Sequence, residues 1–443
     1  MKNIAKFLPF VLAALAVFLI PACRTDTDLY PDGISGRTAF EFFREEGITI
    51  GWNLGNTLDA VNSAGVAVET GWGNPAANQA IFNGLRDQGF NLVRIPVTWA
   101  GHIGAEPDHL VCPGRMDRVA AVVGLARNAG LNVVINIHHD GRTYSPVGND
   151  QTGTWLSVYR AARDPVARAQ ITRQFERVWE QIAARFINHG EWLMFQGFNE
   201  LHVGDWGTGL DRPDEFEVIN EWNQVFTNAV RSTGGANTYR FLIYSGYNTS
   251  FQTVAAYTQG LFVLPDDPTP NRRVINFHFY QPNNFALFRT NPNWPPATGS
   301  GSIEGISNTF AGFRETFVDN GIPVIIGEIG PVRHGPVAAP PAAGQAAPPV
   351  TDAEKARWET ARANRLHYIE IVYAMARENG LVPIYWDNGS LGPLDWDSAN
   401  IRSTTGERFG LFNRANGQPN SEESAEVIRA MIDAINSATP PWN

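Results

Sequence analysis

The chain has 443 residues, 43% of them hydrophobic and 18% charged, with a net charge of −10. That balance supplies a globular core and excludes a disordered chain. No Lys/Arg run of the kind that tracks phosphates is present, so nucleic acid is not expected as a partner, and a neutral polymer needs no charge steering.

In chain order, Lys2 and Lys6 precede an apolar run from Phe7 to Ile20 that is short for a membrane span. The run ends in "LIPAC", which resembles a bacterial lipobox except for Pro21 in its middle. Residues 1–22 are expected to be a lipoprotein-type signal, with Cys23 acylated as the first mature residue. Paired acyl chains would anchor the exported chain at the cell surface or outer membrane. An ordinary signal cut nearby would leave it extracellular. Cys112 then stands alone, so no disulfide staple is expected. Residues 23–36 are polar and turn-rich and read as a tether, with one domain from 37 to 443.

Eight short apolar, β-branched-rich runs follow: Ile48–Leu54, Leu92–Val97, Asn132–Ile137, Leu193–Phe198, Phe241–Ser245, Val274–Phe279, Val324–Gly327 and Val382–Trp386. Helical patterns lie between and after them at Asn78–Gln88, Met116–Asn128, Pro165–Ile187, Glu215–Arg231, Ile303–Asp319, Asp352–Glu378 and Glu422–Ile435. Asp164-Pro165 supplies a cap and a first-turn proline, and Asn379-Gly380 a helix stop. "RDQGFNLV" and "RNAGLNVV" repeat one helix-to-strand joint. Strands buried on both faces and alternating with helices imply a parallel sheet, and eight units imply closure. The expected fold is α/β, a single (β/α)8 TIM barrel. Thr290–Ser302 and Pro331–Val350, rich in Pro, Ala and Gly, are expected as elaborated loops on its C-terminal face.

Polar residues end most of the strands, and a barrel gathers such ends on one face. Among them, Glu200 ends the fourth strand and Glu328 the seventh. Two carboxyl groups facing each other are what cleavage of a glycosidic bond requires: one donates a proton, the other attacks or activates water. Arg94 is placed to keep Glu328 ionised. Asn199 could bond a sugar hydroxyl.

Seven motifs carry a family resemblance: "GWNLGNTLDA", "NLVRIPVTW", "INIHHD", "GFNE", "FHFY", "GEIG" and "YWDNG". In this order they resemble those of glycoside hydrolase family 5, a retaining (β/α)8-barrel family. The opening motif with "WGNP" at Trp72–Pro75 is most similar to subfamily 4, associated with endo-β-1,4-glucanases and xyloglucanases. The resemblance implies Glu200 as acid/base and Glu328 as nucleophile. It implies Arg94 and Tyr280 as holders of the nucleophile, and Asn199 as the contact to the hydroxyl beside the reacting carbon. His138 and His278 would support both, and Trp386 would form the platform under the sugar. Leu201 and Ile329 depart from the Pro and Phe common in the family beside the two glutamates.

The substrate is therefore expected to be a β-1,4-linked glucan polysaccharide, cleaved without a metal or other cofactor by a monomer. Trp99, Trp155, Trp206 and Trp294 are candidate sugar platforms. A β-mannanase of the same family stays open, as does a surface glycan-binding lipoprotein without catalysis. A metal site at His138, His139 and Asp140 is disfavoured, because adjacent strand residues point to opposite faces.

Overall fold

The computed structural model describes residues 34–141, 154–204, 206–334, 351–390 and 408–442. The leader, Cys23, most of the tether and most of the Pro331–Val350 segment lie outside the described residues. Among the described residues, eight parallel strands close into a barrel in chain order, as expected. They are β1 (Gly51–Leu54), β2 (Leu92–Ile95), β3 (Asn132–Asn136), β4 (Leu193–Gln196), β5 (Leu242–Ser245), β6 (Arg273–Phe279), β7 (Val324–Ile329) and β8 (Leu381–Asp387). β1 pairs with both β2 and β8, which closes the ring.

Each strand sorts its side chains into two layers. Leu92, Val134, Met194, Ile243, Val274, Ile325, Val382 and Ile384 fill the barrel interior. Their neighbours, such as Val93, Val133, Leu193 and Ile275, face outward and pack against the helices. This two-sided burial is why the strands read as continuous apolar runs.

The main surrounding helices are α2 (Gln79–Asp87), α3 (Pro113–Asn128), α5 (Pro165–Arg185), α6 (Pro213–Ser232), α9 (Ile303–Thr316), α10 (Asp352–Glu378) and α11 (Glu422–Ser437). Asp164 accepts from the backbone N–H groups of Val166 and Ala167, and so caps α5 ahead of Pro165. Thr351 and Glu354 form a reciprocal capping box on α10. The repeated joint also has a physical cause. Gly89 and Gly130 take φ of 98° and 79°, a left-handed turn that ends each helix. The next residue then donates back into the helix, Phe90 to Leu85 and Leu131 to Ala126. The asparagine that follows reaches the segment leading into the neighbouring strand: Asn91 donates to Gly47 O, and Asn132 to Asn91 O.

Four helices were not expected: α1 (Ala39–Glu45), α4 (Val158–Arg163), α7 (Thr253–Thr258) and α8 (Asn283–Ala286). All are seven residues or fewer, too short to display a helical period. α1 matters most. Capped by Thr38 and Glu41, it drives Phe42 and Phe43 into the barrel floor with Ile48 and Phe241. Ile48 donates its N–H to Phe43 O, so it belongs to this plug, and β1 starts three residues later than the apolar pattern indicates. Ser35, near the end of the expected tether, already donates to Glu191 on the floor at 2.8 Å.

β7 carries one residue more than its neighbours. Phe277 pairs with Ile326, but His278 pairs with Glu328. On the other side Pro383 and Tyr385 oppose Ile326 and Ile329.

Candidate active site

The C-terminal strand ends bring the two glutamates together. One oxygen of Glu200, one of Glu328 and a ring nitrogen of His278 all lie within 4.8 Å of one another. A retaining glycosidase separates its carboxyl groups by roughly 5–5.5 Å, and an inverting one by roughly 6.5–9.5 Å. The closest oxygens of the pair here are nearer to each other than the shorter of these separations.

The two groups sit in unlike surroundings. Glu328 is 7% exposed and tied on both oxygens. Arg94 Nη1 donates to its Oε1 at 3.0 Å, and the Tyr280 hydroxyl donates to its Oε2 at 3.0 Å. Glu200 is 20% exposed and meets His278 Nδ1 at 2.6 Å through Oε1. Burial pushes the Glu200 carboxyl up to about 7, with Arg94 and His139 acting against it. Burial also raises Glu328, opposed by His278, Arg94 and Tyr280 and assisted by the charge of Glu200. Two carboxylates this close cannot both ionise freely. Glu328 has a cation and a hydroxyl donating to it, whereas among the described residues Glu200 is bonded to an imidazole alone. The shared proton therefore belongs on Glu200.

Arg94 is wholly buried and bonded through all three of its guanidinium nitrogens. Besides Glu328 it donates to Gln196 Oε1 at 2.8 Å, Asn53 Oδ1 at 2.9 Å and Asn199 Oδ1 at 2.7 Å. A guanidinium fork held at each of its nitrogens is fixed in place against the carboxylate it serves. His278 is kept neutral, its pKa lowered to about 3 chiefly by burial. Its Nε2 is buried without a partner among the described residues. The tautomer with the proton on Nδ1 uses the one available contact and donates to Glu200 Oε1. The other oxygen of Glu200 is then left to carry the proton. His138 is likewise held neutral by burial and the positive groups around it. Its ring stacks on Trp386 at 5.8 Å between centroids and 3° between planes. Trp386 thus lies flat in the mouth, 6% exposed.

All eight residues expected for the reaction converge here: Arg94, His138, Asn199, Glu200, His278, Tyr280, Glu328 and Trp386. The four extra tryptophans divide. Trp99 is completely buried in the outer core and is no platform. Trp294 is 4% exposed, packs edge-on to Tyr368 at 5.0 Å and donates its N–H to Gly301 O, so it too is a packing residue. A large aromatic signals buried area, not which side of the wall it faces. Trp155 is half-buried, its indole N–H donating to Asp140 Oδ1 at 2.8 Å. Trp206 is 65% exposed on the loop after Glu200, beside the His202 ring at 4.2 Å. Trp72, in the quoted "WGNP", was passed over as a platform; it is 37% exposed beside the His139 ring.

Asp140 does not join the two histidines before it. Its oxygens accept from Trp99 N and the Trp155 indole, and burial raises it to about 6. Asp59 approaches His138 and His139 instead, but its carboxylate accepts from the Asn56 and Thr57 backbone N–H groups. Asn53, one of the polar residues expected at the strand ends, lies beneath the site in a polar layer with Gln196 and Asn276, and these last two were missed. The signal was present: each is a polar residue at an inward position of a largely apolar strand.

The chain resembles known proteins over most of its length. The family model described as Cellulase (glycosyl hydrolase family 5) matches residues 55–392. The xyloglucan-specific endo-β-1,4-glucanase BoGH5A of Bacteroides ovatus is 31% identical over 426 residues, covering 93% of this chain and 74% of that protein. Among solved structures, a Bacteroidetes-affiliated GH5 cellulase linked with a polysaccharide utilization locus superposes with a TM-score of 0.76 at 34% identity, over 92% of this chain and 96% of that one. A GH5-4 broad specificity endoglucanase from Bacteroides salanitronis gives 0.74 at 36% identity, over 94% and 100%. With a closed barrel, two facing carboxyl groups at its mouth and a match over most of its length, the chain belongs to glycosyl hydrolase family 5.

Proposed function

We propose that the chain is a retaining endo-β-1,4-glucanase acting on a β-1,4-linked glucan of the cellulose, mixed-linkage or xyloglucan type. The observation that carries this reading is the close, chemically unequal pair Glu200 and Glu328. Glu328, charged and held by Arg94 and Tyr280, attacks the anomeric carbon of a sugar seated on Trp386. Glu200 gives its proton to the departing oxygen. Loss of that proton turns Glu200 into a base, which activates water to release the covalent glycosyl-enzyme. Asn199 shares Arg94 with the nucleophile, and so is set to bond the hydroxyl next to the reacting carbon. His278 orients the acid without competing for its proton. The names of the relatives support the substrate class, since they include an endo-β-1,4-glucanase specific for xyloglucan and a broad specificity endoglucanase.

The stereochemistry of the first product tests the mechanism. Proton NMR of early hydrolysis of a cello-oligosaccharide should show the β-anomer first, with the α-anomer arising later by mutarotation. An α-anomer at the outset would reject double displacement. We propose further that Cys23 carries the lipid anchor of an exported, cell-surface enzyme. Palmitate labelling lost in a Cys23→Ala variant checks that.

A further inference from the structure

The extra residue in β7 decides which way Glu328 points. Ile325 lies in the barrel interior with Val274, Val382 and Ile384, while Val324 and Ile326 lie in the outer core. Strict alternation from there would turn Gly327 and Ile329 inward and Glu328 outward, into the helix layer. The reverse is found. Ile329 packs in the outer core, and Glu328 meets Arg94 and Tyr280 in the mouth. A bulge inverts the phase of a strand and re-aims the side chain beyond it. Against both neighbouring strands, the register slips at Gly327.

Two asparagines grip that residue from inside the barrel. Gly327 N–H donates to Asn276 Oδ1 at 2.9 Å, and Asn53 Nδ2 donates to Gly327 O at 2.8 Å. Both side chains are wholly buried. The bulge leaves backbone groups without ladder partners, and a buried orphan is costly, so these two contacts stabilise it. The fit is close. A Cβ on residue 327 would come within 2.2 Å of Asn276 Oδ1, which only glycine avoids. Asn276 is braced in turn by Ser245 Oγ at 3.1 Å. Asn53 also accepts from Arg94 Nη1 at 2.9 Å, the nitrogen that reaches Glu328.

We propose that Asn276 and Asn53 are positioning residues for the reaction: they lock a one-residue bulge at Gly327 that turns Glu328 into the barrel. Neither touches the sugar, and both act through Glu328. The inference rests on Glu328 being the nucleophile.

A 2-deoxy-2-fluoro β-cellobioside with a dinitrophenolate leaving group tests both. The Glu328 carboxylate forms a bond to C1 as the C1–O glycosidic bond breaks, and dinitrophenolate leaves with the electron pair. The fluorine slows hydrolysis, so the label stays. Peptide mapping of the parent enzyme should find the label on Glu328, and a label elsewhere would overturn the nucleophile reading itself. Asn276→Ala should slow labelling about 100-fold, as expected for a displacement near 1 Å, while the inactivator binds as before. Asn276→Asp, protonated or charged, still offers Gly327 an acceptor and should restore much of the rate. Gly327→Ala should reproduce the loss. Combined with Asn276→Ala it should add little, since both act at one contact. A label on Glu328 that forms equally fast in Asn276→Ala would overturn this inference alone. Should Asn276→Ala fail to fold, Asn276→Ser, one bond shorter, decides the question by the same readout.

Discussion

The ends of β4 and β7 present the same functional group in opposite ways. At β7 Glu328 is held tightly: both oxygens are bonded, its guanidinium partner is bonded at all three nitrogens, and the backbone beneath it is held from inside. Beyond β4 the carboxyl of Glu200 touches, among the described residues, one neutral imidazole and keeps a fifth of its surface open. A nucleophile gains from fixed geometry, because attack depends on distance and angle. A proton carrier gains from a tunable affinity and an open side, because it must give its proton away and take one back.

The sharpest way to break that contrast is to delete each group. Glu328→Ala should lower turnover more than about 10⁴-fold on any substrate, since an oriented nucleophile cannot be replaced from solution at comparable effective concentration. Glu200→Ala should cost about 10²–10⁴-fold on a natural glucan, and much less in the first step with a dinitrophenyl leaving group, which needs no proton. Azide should partly rescue Glu200→Ala on that substrate, with a glycosyl azide as product. Near-parental rates in either variant would end the assignment.

A weaker contrast separates the tryptophans. Trp294→Ala should cost about 3–5 kcal/mol of stability by chemical denaturation and leave KM near its parental value, because the ring is packing. Trp206→Ala should leave the unfolding midpoint unchanged and raise KM by up to roughly tenfold, the scale of one lost ring contact. An unchanged KM in Trp206→Ala would remove it as a platform.

The smallest effect is in pH. Catalysis needs Glu200 protonated at the outset, and that fraction falls as pH rises through about 7, so kcat/KM should decline above it. Stability follows the same sign. Between the ordinary value of 4.5 and about 7, the folded chain holds a proton on Glu200 that the unfolded chain has released. Stability from this group is therefore greatest at low pH and is lost as pH rises through that window. Glu200→Gln should melt higher than the parent at pH 8, and an equal midpoint would contradict the raised affinity.

Much of this was legible in the sequence. The strands announced themselves because both their faces are buried, and the strand ends because polar residues interrupt an apolar run there. Glu200 and Glu328 could be paired from strand number alone, since closure of the barrel supplies the third dimension. What stayed hidden were properties that exist only after closure. Trp99 and Trp294 look like Trp206 in one dimension, and only packing tells wall from surface. Gln196 and Asn276 show their polar character in the chain, but not that they converge with Asn53 beneath Arg94. The slip at Gly327 is a relation between strands, so no local pattern reveals it. α1 escaped notice because a seven-residue plug has too few turns to show a face.

That plug carries a consequence for orientation. Ser35 and Arg37 are fastened to Glu191 on the floor, the end of the barrel opposite the catalytic mouth. The described chain enters the barrel at this underside, beginning at Ile34. A lipid on Cys23, as proposed, would join the chain upstream of an entry point on the base, at the far end from the opening that receives the long polymer chains.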